Sequence, residues 1–112
     1  YGDLKAQYYA PAVVDDRIAR EWMRIPHFYM GYYVYQYSTG ISAATAIVDR
    51  IRTEGEAAAA DYREALRMGG SDYPAEVLER AGVDTTDAAY IETALDTYGE
   101  RLDEMERLVE ND

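Results

Sequence analysis

The segment from residue 26 to residue 37 carries the densest set of side chains that could do chemistry. It contains His27, the single histidine of the chain. It also contains five of the twelve tyrosines, Tyr29, Tyr32, Tyr33, Tyr35 and Tyr37. A buried tyrosine hydroxyl needs a hydrogen-bond partner, whereas phenylalanine would fill the same space without that need. The segment therefore favours a cleft that donates hydrogen bonds to a polar ligand, such as a peptide carbonyl or a developing oxyanion.

Helical spacing would bring three of these tyrosines together. Tyr29, Tyr32 and Tyr33 stand at positions i, i+3 and i+4, and Tyr35 lies on the flank of the same face. A tyrosine-rich helix that packs on its neighbours through ring edges has the same spacing, so both interpretations stay open at this point. His27, in the first helical turn, would lie beside the positive end of the helix dipole and act as a hydrogen-bond donor.

The element that must position these side chains is a predicted helix from about His27 to Arg52, with Pro26 suited to its first turn. Residues 25–48 contain no Asp, Glu, Lys or Arg. A helix of that length is about 36 Å long, and one without charge on any side is expected to be covered by protein. The remaining residues can hardly enclose it. The sequence therefore predicts a piece of something larger, or a chain that self-associates.

Apolar spacing along the rest of the chain is helical throughout. It predicts an all-α fold class: a helical bundle fragment of one segment, 1–112, with one long uncharged central helix. The other predicted helices are Tyr1–Tyr9, a short helix capped by Asp15 or Asp16, Glu56–Met68, Pro74–Ala81 and a last amphipathic helix after residues 84–87. Six apolar residues of that last helix recur at spacings of four and three, opposite an acidic outer face.

Charge is distributed unevenly along the chain. The net charge is −11, from 22 acidic and 11 basic residues, and the first 48 residues are neutral with four of each. The whole excess lies in residues 49–112, which hold 18 acidic residues and seven arginines. Such a charge opposes binding to nucleic acid or anionic lipid. Since Lys5 is the single lysine, we also expect a halophilic protein.

Several kinds of site are excluded or weakened by residue type. The chain has no cysteine, one histidine and no His-Glu-x-x-His motif, so no metal site is predicted within it. The uncharged stretch is too rich in tyrosine, serine and threonine for a transmembrane helix. The turn at Gly69-Gly70-Ser71 is too short for a phosphate loop, although the backbone N–H groups of Gly70 and Ser71 could approach a ligand.

Four blocks of sequence together resemble one peptidase family. They are Trp22–Tyr29, Tyr32–Gly40 with Ser42-Ala43-Ala44, Gly69-Gly70-Ser71 with Tyr73-Pro74, and Ala81–Asp84. In this order they are similar to the C-terminal end of oligoendopeptidase F, of the thimet-oligopeptidase-like zinc metallopeptidases. The resemblance implies a cytoplasmic, all-helical peptidase that hydrolyses oligopeptides in an internal channel.

The resemblance also implies roles for particular residues. His27 matches the histidine of the family's Pro-His-Phe-Tyr block, and Tyr29 and Tyr35 match positions of hydroxyl donors that stabilise the tetrahedral intermediate. Tyr32 and Tyr33 are implied to bind substrate, and Gly70 and Ser71 are expected to join them.

The zinc of the family is held by a His-Glu-x-x-His helix and a downstream glutamate, which would all lie upstream of Tyr1. Zinc is therefore expected in the intact enzyme, whose missing N-terminal part would be the partner of this chain. This chain alone is expected to bind no zinc and to be inactive. The alternative is a non-catalytic helical module that binds a peptide or a partner helix.

Overall fold

A computed structural model describes residues 1–110 as helices joined by turns, with no strand among them. Six α-helices and two short 3₁₀ helices follow one another: α1 Gly2–Tyr8, α2 Asp16–Ala19, 3₁₀ helices Glu21–Arg24 and Pro26–Tyr29, α3 Tyr35–Glu54, α4 Glu56–Met68, α5 Pro74–Arg80 and α6 Ala89–Glu110. The all-α prediction is confirmed. The chain divides into two compact units, Tyr1–Gln36 and the residues from Tyr37 onward.

In the first unit, α2 begins at a side-chain cap. Oδ1 of Asp15 accepts hydrogen bonds from the backbone N–H groups of Arg17 (2.9 Å) and Ile18 (3.0 Å). The Arg17 side chain and these N–H groups lower the pKa of Asp15 below its ordinary value. The cap satisfies donors that the first turn of any helix leaves without a partner, which confirms the predicted helix start.

An ion-pair cluster joins α1 to the 3₁₀ helix Glu21–Arg24. Nζ of Lys5 lies 2.5 Å from Oε2 of Glu21, and Arg24 donates to the other oxygen of the same carboxylate. The Lys5 ammonium also lies 4.4 Å from the ring centroid of Tyr9, a cation–π distance. The hydrogen bonds from Lys5 and Arg24 lower the pKa of Glu21 from 4.5 to about 2.

This cluster predicts a pH dependence of folding. Because the pKa of Glu21 is depressed in the folded state, its stabilising effect is complete above its unfolded value of 4.5 and disappears as the pH falls through about 2. We expect the unfolding free energies of the wild type and Glu21→Gln to differ at pH 6 and to converge between pH 4.5 and 2. Urea titrations at several pH values measure this difference. A constant difference over that range would contradict the ion-pair account.

The central helix is shorter than predicted, and its predicted start at His27 was wrong. It begins at Tyr35 rather than His27, because the chain leaves the 3₁₀ helix at Met30 in an extended conformation and turns through residues 31–34. Gly31 and a run of aromatic and β-branched residues have low helix propensity there. The helix is also not uncharged, since its last turns carry Asp49, Arg50 and other charged residues.

The second unit has a small core of short side chains. Buried residues of α3, α4, α6 and the turn after α5 form one cluster: Ala43, Ile47, Ala65, Ala81, Val83 and Tyr90. Val77 and Leu78 of α5 pack against it. Alanine propensity sets the bounds of α4, which are those predicted, and Gly69 follows its end with a positive φ of 55°.

Arg50 links three elements of this unit. Its guanidinium donates to the carbonyl oxygen of Ala81 (3.1 Å), to Asp61 on α4 (2.9 Å) and to Glu54 (3.1 Å). Arg80 donates to the other oxygen of Asp61 at 3.0 Å. These two arginines lower the pKa of Asp61. The network fixes the turn after α5 against α3.

No helix within residues 1–110 is long and apolar enough to cross a membrane.

Candidate functional site

His27 lies on the short 3₁₀ helix Pro26–Tyr29, where its imidazole is exposed. Its ring stacks obliquely on the ring of Tyr33, with centroids 5.2 Å apart and planes at 58°. A single 3₁₀ turn is not the start of a long helix, so the expected dipole at His27 is absent. The fold instead positions the imidazole by an aromatic contact that helical spacing did not predict.

Tyr32 lies in the turn between the 3₁₀ helix and α3. Its φ is +57°, which makes it the one non-glycine residue with positive φ in the described part of the chain. Its side chain is 89% exposed, and its carbonyl accepts a hydrogen bond from Nε2 of Gln36 at 3.0 Å. A left-handed conformation costs a tyrosine about 1–2 kcal/mol. Such strain, on a side chain directed to solvent, is typical of a functional position.

The predicted shared face of Tyr29, Tyr32 and Tyr33 does not form. The turn after Met30 interrupts the helix that would have aligned them. Tyr35 is the first residue of α3 and is 59% exposed, so its phenol lies at a helix N-terminus instead of the flank of a long face. Tyrosines that were expected on one continuous helix are thus carried by three different backbone conformations.

Tyr29 already uses its hydroxyl proton. Its Oη donates to the backbone carbonyl of Met23 at 2.7 Å, which ties the two 3₁₀ helices together. To donate to a substrate, this phenol would have to give up that bond. In the observed conformation Tyr29 therefore holds the segment that carries His27.

Gly70 and Ser71 lie in the second unit, in the turn that follows α4. The backbone N–H of Ser71 donates to the carbonyl of Met68 at 3.0 Å, so this amide closes the turn. Both residues are exposed. Their place in substrate binding stays a prediction.

Two supporting residues were missed by the sequence analysis. Phe28, which directly follows His27, makes an edge-to-face contact with Tyr1, with ring centroids 6.4 Å apart. This contact helps to hold the 3₁₀ helix that carries His27. Gln36 holds the strained turn by its bond to the carbonyl of Tyr32. The apolar side chain of Phe28, between His27 and Tyr29, was a signal in the sequence for its contact. No sequence pattern predicted the hydrogen bond from Gln36.

Within residues 1–110, no group of three or more His, Cys, Asp or Glu side chains has the arrangement of a metal site. The described residues therefore do not fit a zinc ion.

The comparisons with known proteins agree with one another. The sequence model of peptidase family M3 matches residues 1–97 of this chain. Oligopeptidase PepF of Bacillus subtilis is 49% identical over 97% of this chain, and the plasmid oligoendopeptidase F of Lactococcus lactis subsp. cremoris is 41% identical over 98% of it. This chain spans 16% and 18% of those two proteins.

A solved structure gives the same result. The crystal structure of oligoendopeptidase-F from Enterococcus faecium matches this fold with a TM-score of 0.83 and 51% sequence identity, over 97% of this chain and 21% of that one. The family model covers residues 1–97, and the alignment to the solved structure covers 97% of the chain. The chain therefore belongs to peptidase family M3, and within that family it is similar to the oligoendopeptidase F proteins.

Proposed function

We propose that this chain is the C-terminal part of the catalytic domain of a zinc-dependent oligoendopeptidase that hydrolyses short peptides in the cytoplasm. In this proposal His27 and the tyrosines around it bind the substrate backbone and stabilise the oxyanion. The observation that carries it is the exposed turn in which a strained Tyr32 directly precedes Tyr33, whose ring contacts His27, and lies three residues before Tyr35. Family membership supports a hydrolytic role for that turn.

The chemistry of the turn suits an extended peptide. Phenol hydroxyls and an imidazole N–H are neutral donors, and backbone carbonyl oxygens are acceptors that recur at every residue of a substrate. A donor placed where negative charge develops on the scissile carbonyl oxygen is worth more in the transition state than in the ground state. We assign that role to Tyr35 and His27, and substrate binding to Tyr32 and Tyr33.

Two further assignments depend less on the observed geometry of the turn. Tyr29 joins the donors only by exchanging its bond to Met23 for one to the substrate. Gly70 and Ser71 contribute to a wall of the substrate channel. Zinc, in this proposal, is held by residues outside the chain, so no step of the reaction is assigned to it here.

The isolated chain is expected to have no peptidase activity, with or without added zinc. The metal-binding residues would lie elsewhere in the enzyme, and the donors of the turn cannot activate a water molecule by themselves. A quenched fluorescent peptide of several residues measures turnover by the isolated chain and by the full-length protein in parallel.

Full-length protein should hydrolyse the peptide and lose activity on treatment with a chelator. Zinc-dependent turnover by the pure isolated chain would overturn the proposal. A full-length protein that binds peptides but never cleaves them would favour the alternative, a non-catalytic peptide-binding module.

A further inference from the structure

The last helix leaves its apolar stripe uncovered. Six residues form the stripe, at helical spacings of four and three: Ile91, Leu95, Tyr98, Leu102, Met105 and Val109. Their side chains are between 38% and 72% exposed. An apolar stripe of this length along a helix normally faces a core.

The side of α6 that faces α3 is a different one. Tyr90 is the buried residue of α6, and Thr97 and Arg101 line a shallow groove with Ile41 and Val48 of α3. These α6 residues lie about 100° around the helix from the stripe, since each residue advances the helix by that angle. Packing within this unit thus uses one side of α6 and leaves the apolar stripe to something else.

Beyond Arg101, the end of α6 has no buried or half-buried residue. All side chains of residues 101–110 are exposed. A helix of about ten residues without packing is marginal in water, because most helical stability in proteins comes from an apolar face that is buried. The stripe is therefore expected to be covered in the working protein.

Charge identifies the covering partner. Helix α6 carries seven carboxylates and two arginines, and the charged residues along one edge of the stripe are all acidic: Glu92, Asp96, Asp103, Glu106 and Glu110. A second copy of this chain would bring a like-charged edge against this one, which costs free energy. A helix with lysine or arginine along its edge would gain from the same carboxylates.

The length of the relatives indicates where such a helix comes from. This chain spans 16–18% of the curated relatives it matches, so most of the polypeptide in those proteins lies outside the matched part. We infer that the α6 stripe is the docking surface for an amphipathic helix with basic flanking residues from the remainder of the peptidase. This surface consists of other residues than the tyrosine turn, residues 31–34 with the neighbouring His27 and Tyr35, and the inference does not depend on the catalytic roles proposed for that turn.

A pair of matched substitutions tests the docking surface. Leu95 lies on the stripe and is 64% exposed, whereas Leu108 lies off it on the same helix and is 66% exposed. In the isolated chain, Leu95→Glu and Leu108→Glu should have equally small effects on stability. In the full-length protein, Leu95→Glu should lower the melting temperature by at least about 3 °C more than Leu108→Glu does, because only the first places a charge in a buried interface.

If the Leu95→Glu variant does not fold, the milder Leu95→Ala variant replaces it in the test. Leu95→Ala should also lower the melting temperature of the full-length protein. Equal melting temperatures for the Leu95 variants and Leu108→Glu in that protein would overturn the inference.

The identity of the partner has a separate test. The double variant Asp103→Lys/Glu106→Lys should lower the melting temperature of the full-length protein, because it repels basic residues on the docked helix. The same variant should not destabilise the isolated chain, where it reduces a net charge of −11. Sedimentation of the isolated chain distinguishes a second copy as occupant: a dimer that Leu95→Glu abolishes would overturn the assignment to the remainder of the enzyme.

Discussion

Replacing Tyr35 by phenylalanine, or His27 by alanine, in the full-length enzyme is expected to lower kcat by about 10²–10³-fold. Each substitution removes one hydrogen-bond donor that we assign to the developing oxyanion. Because such a bond forms fully only in the transition state, KM should change little while kcat and kcat/KM fall together. Tyr32→Phe should show the other pattern, a raised KM with a smaller change in kcat, because Tyr32 is assigned to substrate binding.

Tyr29→Phe tests whether the phenol of Tyr29 joins these donors during turnover. It removes the same atom from a neighbouring phenol whose proton is engaged by the carbonyl of Met23 at 2.7 Å. We expect a loss of about 1 kcal/mol in unfolding free energy, the usual value of one hydrogen bond, and less than a tenfold change in kcat.

Steady-state kinetics on the purified variants, with metal content measured for each, make the comparison. Metal content should stay at the wild-type level, since the assigned donors are not ligands. Wild-type kcat in both Tyr35→Phe and His27→Ala would show that the oxyanion assignment is wrong.

Gly82→Ala is expected to destabilise the isolated chain by about 2–4 kcal/mol. Gly82 has a φ of +88°, a conformation that strains residues with a side chain, and an added Cβ would lie 2.0 Å from Nη1 of Arg50. The Arg50 side chain would have to move away, and its hydrogen bonds to the Ala81 carbonyl and to Asp61 would be lost. Unfolding by urea, followed by circular dichroism, measures the loss.

Gly40→Ala is a control that is expected to raise the unfolding free energy instead of lowering it. Gly40 lies within α3 and an added Cβ would meet no atom within 4 Å, so alanine should stabilise the helix by up to about 1 kcal/mol. The double variant Arg50→Ala/Gly82→Ala should lose less stability than the sum of the two single variants, because the clash disappears with the arginine. Strict additivity would contradict the proposed contact.

Local signals in the sequence were sufficient for most helices. The side chain of Asp15 caps α2 as predicted, and alanine propensity followed by two glycines sets both ends of α4. The helical spacing of apolar residues along the chain predicted the all-α fold that the structure has. These features depend on residues close together in the chain, so the sequence alone determines them.

The tyrosine turn shows where sequence reasoning failed. Periodicity placed Tyr29, Tyr32 and Tyr33 on one helix face, but Gly31 and its aromatic neighbours lower helix propensity enough for the chain to turn there. The contact of His27 with Tyr33 and the bond from Gln36 to the Tyr32 carbonyl exist only in that turn. Helical spacing therefore predicted a geometry that the chain does not have, and the roles of these residues in catalysis stay a prediction.

The charge pattern has a similar division between sequence and structure. The sequence alone determined that the acidic excess lies after residue 48 and that α6 has an apolar stripe beside acidic residues. The tertiary structure decided that Thr97 and Arg101, not the stripe, face α3, and that Arg50 reaches the Ala81 carbonyl 31 residues along the chain. Such contacts depend on how helices distant in sequence are rotated against each other, and local propensity and periodicity do not fix that rotation.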